Sequence, residues 1–152
     1  MRKTLNLILL LVLILFSFSE LNAQEVSIKD NKVQINNVPV LRFEKETLEQ
    51  YSFYNLNDDE ILLFRYNNNE TPANNNDDFI VLNFLVNKRK VESKDIEKAL
   101  AGMGWNSKKN ITKIINWLLK EKVLTVEGEI NPDKLDVFVE KYDSNITNRT
   151  MR

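Results

Sequence analysis

Between Val26 and Val40 apolar and polar residues alternate around two short pairs, Asp30-Asn31 and Asn36-Asn37. This arrangement leaves the chain few choices. Asn and Asp tolerate the positive φ that a two-residue hairpin turn demands of its central residues. A hairpin centred on Asp30-Asn31 sets Ile28 opposite Val33 and Val26 opposite Ile35, with all four on one face because strand side chains alternate. A second, centred on Asn36-Asn37, pairs Ile35 with Val38 and Val33 with Val40 on that same face. A slip of one residue in either register would turn the whole apolar set towards water, so each turn reinforces the other. Pro39 has no N–H for a ladder and suits an edge position.

Three more strands are predicted at Tyr51–Leu56, Ile61–Tyr66 and Phe79–Val86. Asn57-Asp58-Asp59-Glu60 is a polar connection tight enough for a hairpin between the first two. The third is nearly all apolar, as expected of a central strand covered on both faces. Between the last two, Asn67 to Asp78 is rich in oxygen-bearing side chains but has neither the spacing nor the glycine of a calcium loop, and it reads as a mobile hairpin loop.

Helical spacing takes over afterwards. Lys88-Arg89-Lys90 is a short solvated basic run. Ser93 then caps a helix through Asp95, Ile96, Ala99 and Leu100, which Gly102 and Gly104 end. In the stretch from Asn106 to Val126, residues Ile111, Ile114, Ile115, Leu118 and Leu119 follow the i, i+3, i+4, i+7, i+8 pattern of a buried helix face, with Trp117 at its border. Lys109, Lys113, Asn116 and Lys120 fall opposite. Val123–Val126 and Glu129-Ile130 flank a turn at Glu127-Gly128. Asn131-Pro132-Asp133 starts a last helix with a capping side chain, a proline at the first turn and an acid near the helix N-terminus. Leu135, Phe138, Val139 and Tyr142 line its apolar face, and residues 143–152 have no apolar period and read as a flexible tail. The expected fold is α+β: an antiparallel meander of about six strands followed by about three helices. It forms a single domain over residues 24–142, with a strand-rich half at 24–87 and a helical half at 93–142.

The order helix, helix, small hairpin, helix across Ser93 to Tyr142 resembles part of the winged-helix pattern. The resemblance implies a second helix that enters the major groove, with Lys109, Lys113, Asn116 and Lys120 facing the nucleic acid. Charge argues the other way. The chain has 21 basic and 22 acidic residues, and without Arg2, Lys3 and Glu20 of the leader described next the balance is 19 to 21. A net charge of −2 and the lack of a basic wing supply no general attraction for phosphate, so no nucleic-acid partner is expected and the lysine ridge reads as a solvated helix face.

The N-terminus carries an export pattern. Arg2 and Lys3 precede an unbroken apolar run from Leu7 to Phe16, which is short for a membrane-spanning helix and the right length for the core of a signal peptide. Leu21-Asn22-Ala23 offers a small residue at the cleavage position. Residues 1–23 are therefore expected to be removed between Ala23 and Gln24, with Ser19 as an alternative position, leaving a periplasmic or secreted chain with no permanent membrane span. An uncleaved anchor is the competing possibility.

Composition narrows the chemistry. The chain has no His and no Cys. A histidine-based triad, a thiol nucleophile, a disulfide framework and the usual structural zinc sites are thereby excluded. No cofactor or metal is expected. Asn69, Asn110, Asn145 and Asn148 each begin an N-x-S/T sequon, as an asparagine-rich chain does by chance. Glu44, Glu46 and Glu49, and likewise Asp58, Asp59 and Glu60, are acidic clusters, but nothing in the sequence sets one member in an apolar pocket, as paired acid and base catalysis requires. Tyr51, Phe53, Tyr54 and Tyr66 are the candidate aromatic binding surface. The expected function is non-catalytic binding of an envelope or extracellular protein or glycan. The alternatives are an inhibitor or immunity-like protein that neutralises another exported protein, and a carboxylate-dependent hydrolase acting on glycans.

Overall fold

The structure is a computed structural model and describes residues 24–68, 77–101 and 106–147. Seven strands form one antiparallel sheet in the order of the chain: β1 (Val26–Lys29), β2 (Lys32–Ile35), β3 (Val38–Lys45), β4 (Gln50–Tyr54), β5 (Glu60–Asn67), β6 (Phe79–Phe84) and β7 (Arg89–Ser93). Among the described residues three helices follow, α1 (Ile96–Ala99), α2 (Ser107–Lys120) and α3 (Pro132–Tyr142), and Ile146 and Thr147 are again helical. The protein is α+β, a meander with its helices after it, and has one strand more than expected.

The first hairpin forms as the alternation dictates. Val26 pairs with Ile35 and Ile28 with Val33. Asp30 and Asn31 take φ of 51° and 59°, and Asn36 and Asn37 take 51° and 66°, all in the left-handed region. The second hairpin departs from simple alternation. Ile35 pairs with Val38 as expected, but Val33 lies opposite Leu41 rather than Val40, because a bulge interrupts the ladder. Two consecutive residues, Val40 and Leu41, are then both buried. Pro39 is not on an outer strand of the sheet. It lies opposite Gln34 in the part of β3 that precedes the pairing with β4, which begins at Arg42, so its missing N–H costs that ladder nothing.

Two expected boundaries move. β4 ends at Tyr54 rather than Leu56, because Asn55 accepts the backbone N–H groups of Asn57 and Asp59 at 2.9 Å each and folds the turn early. β6 ends at Phe84 rather than Val86. Leu85 to Lys88 turn the chain, leaving Leu85 and Val86 exposed, and Arg89 to Ser93 form a seventh strand where a basic linker and a helix cap were expected. Ser93 is the last residue of that strand, and the helix after it is a single turn.

Strand parity divides the sheet into two faces. Ile35, Phe43, Phe53, Leu62, Phe64, Leu82, Phe84 and Val91 share the face that packs into one core with Ile111, Ile114, Ile115, Trp117, Leu118, Leu135 and Phe138. α2 lies against β1 and α3 against β7, so the helical layer reaches both edges of the sheet. α2 buries the apolar face expected of it, and Asn106 caps it by accepting the N–H of Lys109. α3 begins with Asn131 as cap, Pro132 and Asp133, as its opening residues dictate. Trp117 joins the two helices, with its ring centroid 5.0 Å from those of both Phe138 and Tyr142.

The connection between α2 and α3 is held by one β-bridge, Leu124 to Ile130, and by a turn at Gly128. That glycine has φ +87°, and a Cβ on it would sit 2.6 Å from the carbonyl oxygen of Val40, so the connection rests directly on β3. Asp143 to Thr147, which begin the stretch expected to be flexible, are hydrogen-bonded to β7: the N–H of Ser144 donates to the carbonyl of Glu92 at 2.7 Å, and the N–H of Glu92 donates to Oδ1 of Asp143 at 2.9 Å. The residues of the leader, 1–23, lie outside the described residues. Among the described residues no helix is long and apolar enough to cross a membrane.

Candidate functional site

The expected aromatic surface divides between the two sides of the sheet. Tyr51 and Phe53 are 1% and 0% exposed and belong to the core, Tyr51 stacking on Phe64 at 5.8 Å. Tyr66 lies on the same face, half-buried, and its hydroxyl donates to Asp78. Burial in company with that carboxylate raises the phenol to about 12. Tyr54 has the opposite parity and stands alone of the four on the other face. The four rings therefore do not form one surface. Ala23 lies outside the described residues, and Gln24 is exposed ahead of β1.

The lysine ridge of α2 is only partly a free surface. Lys113 Nζ donates to the carbonyls of Glu97 and Leu100, at 2.6 and 2.8 Å, and so closes the C-terminal end of α1. Lys109, Asn116 and Lys120 are exposed.

The second face of the sheet emerges from the register rather than from any local motif. Helices α2 and α3 pack on the opposite face, while at the β7 edge of this one the chain is helical again at Ile146 and Thr147, and Thr147 bonds the Glu92 carboxylate. Gln50, Arg65, Val81 and Glu92 stand in one row across β4 to β7, and Ser52, Leu63, Asn83 and Lys90 in the next. Val81 is buried yet lies outside the helix-packed core, and with Leu63 it floors a cavity of about 210 Å3. Gln50, Arg65, Asn67 and Asn83 line that cavity together with the Lys90–Glu92 pair, and Thr147 reaches its rim.

Glu92 anchors one wall. Its side chain is 3% exposed and accepts Lys90 Nζ at 2.8 Å, the N–H of Thr147 at 2.7 Å and the Thr147 hydroxyl. Burial alone pushes a carboxylate up, but these donors outweigh it and hold Glu92 below the ordinary carboxylate range. At the other end of the face, Arg42 lies over the Tyr54 ring with its Cζ 4.0 Å from the centroid, and donates to Glu44 at 2.5 Å and Asp58 at 2.8 Å. Burial, with Glu44 and Glu60 nearby, raises the Tyr54 phenol. Two of the acids singled out in the sequence, Glu44 and Asp58, are therefore engaged by Arg42.

The chemistry of this face is recognition through charge and amides. Arg65 is exposed at the cavity and forms no ion pair among the described residues, whereas Arg42, Arg89 and Lys90 each do. Among the described residues, no cluster of three or more acidic side chains is placed to hold a metal ion. Reading the sequence alone misses Arg65, Asn83 and Glu92 because they lie far apart along the chain. Parity gives a partial signal: Leu63, Arg65, Val81 and Asn83 alternate with core residues.

Neither a protein-family model nor a curated protein nor a solved structure matches this chain.

Proposed function

We propose that this is an exported, non-catalytic binding protein that holds a polar partner of the cell envelope or extracellular space on the open face of its sheet. The observation that carries this reading is the row-by-row assembly of a guanidinium with no ion pair among the described residues, side-chain amides and a satisfied Lys90–Glu92 pair around one cavity on the face opposite α2 and α3. Concave sites with an apolar floor and a few convergent polar groups are where ligands bind. Export is supported by the leader pattern of residues 1–23, and the absence of any long apolar helix among the described residues accords with a chain that has no permanent span after cleavage.

Glycan hydrolysis by a carboxylate pair is the weaker reading. It needs two facing carboxyls, one of them kept protonated. Among the described residues the cavity wall contributes one carboxylate, Glu92, held below the ordinary range by its donors. The winged-helix resemblance fares no better, because Lys113 is engaged with α1 and the hairpin after α2 is a single bridge.

Two measurements test the proposal. Mass spectrometry of the envelope-fraction protein should find Gln24 at its N-terminus, and an intact Met1 on a cytoplasmic species would refute export. Affinity capture with the mature chain should retain a partner that a chain carrying both Arg65→Glu and Lys90→Glu releases, while Lys109→Glu on α2 leaves capture unchanged. Equal capture by the double variant would refute the role of the open face.

A further inference from the structure

We infer that the open-face cavity is a subsite for one sugar ring bearing a single carboxylate, which Arg65 holds. This deepens the reading of the open face as the binding face and rests on it.

Charge sets the first requirement. Among the described residues, the cavity wall carries Arg65, Lys90 and Glu92, a net of +1. Lys90 is committed to Glu92 at 2.8 Å, so the available cation is Arg65, whose planar fork matches a carboxylate with two parallel hydrogen bonds. The fixed carboxylate of Glu92, two strands away in the same row, disfavours a dianion and leaves a monoanion as the matching charge.

Shape and polarity set the second. A volume of about 210 Å3 falls below the roughly 300–1,000 Å3 of sites for drug-sized ligands, and so fits one ring. Half-buried Leu63, backed by buried Val81, offers an apolar patch to the face of such a ring. Gln50 lies directly across from Arg65, and Asn83 across from Leu63 on the next row. Both amides are half-buried. Each carries two donors and an acceptor, the combination that hydroxyl groups require. An acidic peptide side chain would use Arg65 but leave those amides and the apolar patch uncovered, which is why the sugar is the better occupant.

The test is a titration of the isotope-labelled mature chain with D-glucuronate, followed by NMR of the arginine Nε–H and side-chain amide signals. D-glucose, hexaglutamate and inorganic phosphate serve as comparison probes. The expected result is that glucuronate moves the Arg65, Gln50 and Asn83 signals, glucose does not over the same range, and Arg65→Gln weakens binding about tenfold or more. Arg65→Lys keeps the charge without the fork and should recover part of the loss. It also serves as the second variant if Arg65→Gln disturbs the dispersion of the remaining spectrum. Glucose binding as well as glucuronate, tighter binding of hexaglutamate or phosphate, unchanged binding by both variants, or no response to glucuronate would each overturn the inference. A partner captured through Arg65 and Lys90 without any glucuronate response would leave the open-face proposal standing and this inference refuted.

Discussion

Replacing Glu92 by Gln probes the junction of the sheet, the cavity and the C-terminal segment. The buried carboxylate accepts from Lys90 Nζ, from the Thr147 N–H and from the Thr147 hydroxyl. Glutamine retains one acceptor oxygen and turns an NH2 group towards donors, so a charge-assisted bond is lost and a buried donor is stranded. Together these cost about 2–3 kcal/mol. For a domain of this size that corresponds to a fall in Tm of roughly 5–15 °C. The loss should be local first. The Thr147 amide should exchange much faster, while the Ser144 amide, bonded to the main-chain carbonyl of Glu92, keeps more of its protection.

The pH dependence follows from the lowered pKa. A group whose folded-state pKa is depressed gives stability that is complete above its ordinary value of 4.5 and is lost as pH falls below it, through the folded value. Denaturant unfolding from pH 7 to pH 3 should show this slope in the parent and a shallower one in Glu92→Gln. A variant within about 0.5 kcal/mol of the parent at pH 7, with unchanged Thr147 exchange, would refute the reasoning.

Gly128→Ala forces a side chain into a positive-φ position 2.6 Å from the Val40 carbonyl, so urea unfolding should show a loss of roughly 2–4 kcal/mol. Trp117→Ala opens a cavity among Phe138, Tyr142 and the α2 face and should cost roughly 3–5 kcal/mol. Trp117→Phe should cost less than about 2 kcal/mol, because the buried indole N–H has no hydrogen-bond partner to lose. Tyr66→Phe removes a donor from buried Asp78 and should cost about 1–3 kcal/mol at neutral pH. Because the Tyr66 phenol is raised to about 12, its share of stability is complete below pH 10 and is lost as pH rises through 12, so alkaline unfolding of the variant should lack that part of the slope.

Much of the fold is legible in the sequence where local chemistry and periodicity agree. The Asp30-Asn31 and Asn36-Asn37 turns, the apolar face of α2 and the cap of α3 are of this kind. The bulge at Val40-Leu41 is not, because two adjacent apolar residues fit either face and the choice depends on how β3 is gripped from outside the hairpin, including by Gly128. β7 is hidden by its composition: Val91 is the one strongly apolar residue among Arg89, Lys90, Glu92 and Ser93, so the alternation is too weak to stand against a reading as a charged linker. The aromatic surface fails on parity. Tyr51 and Phe53 point one way along β4 and Tyr54 the other, a division the sequence already contains. The open face is the reverse case: Arg65, Asn83 and Glu92 become neighbours only once the pairing of β5, β6 and β7 is known.

Arginine labelling tests the open-face claim most directly. Phenylglyoxal modification of the mature chain, mapped by mass spectrometry with and without a saturating envelope fraction, reports on Arg65 at the cavity and on Arg89, which pairs with Asp136 on the helical side at 3.0 Å. Binding on the open face predicts that Arg65 becomes protected while Arg89 labels as before. Protection of Arg89 with Arg65 still fully labelled would place the partner on the helices and contradict the account.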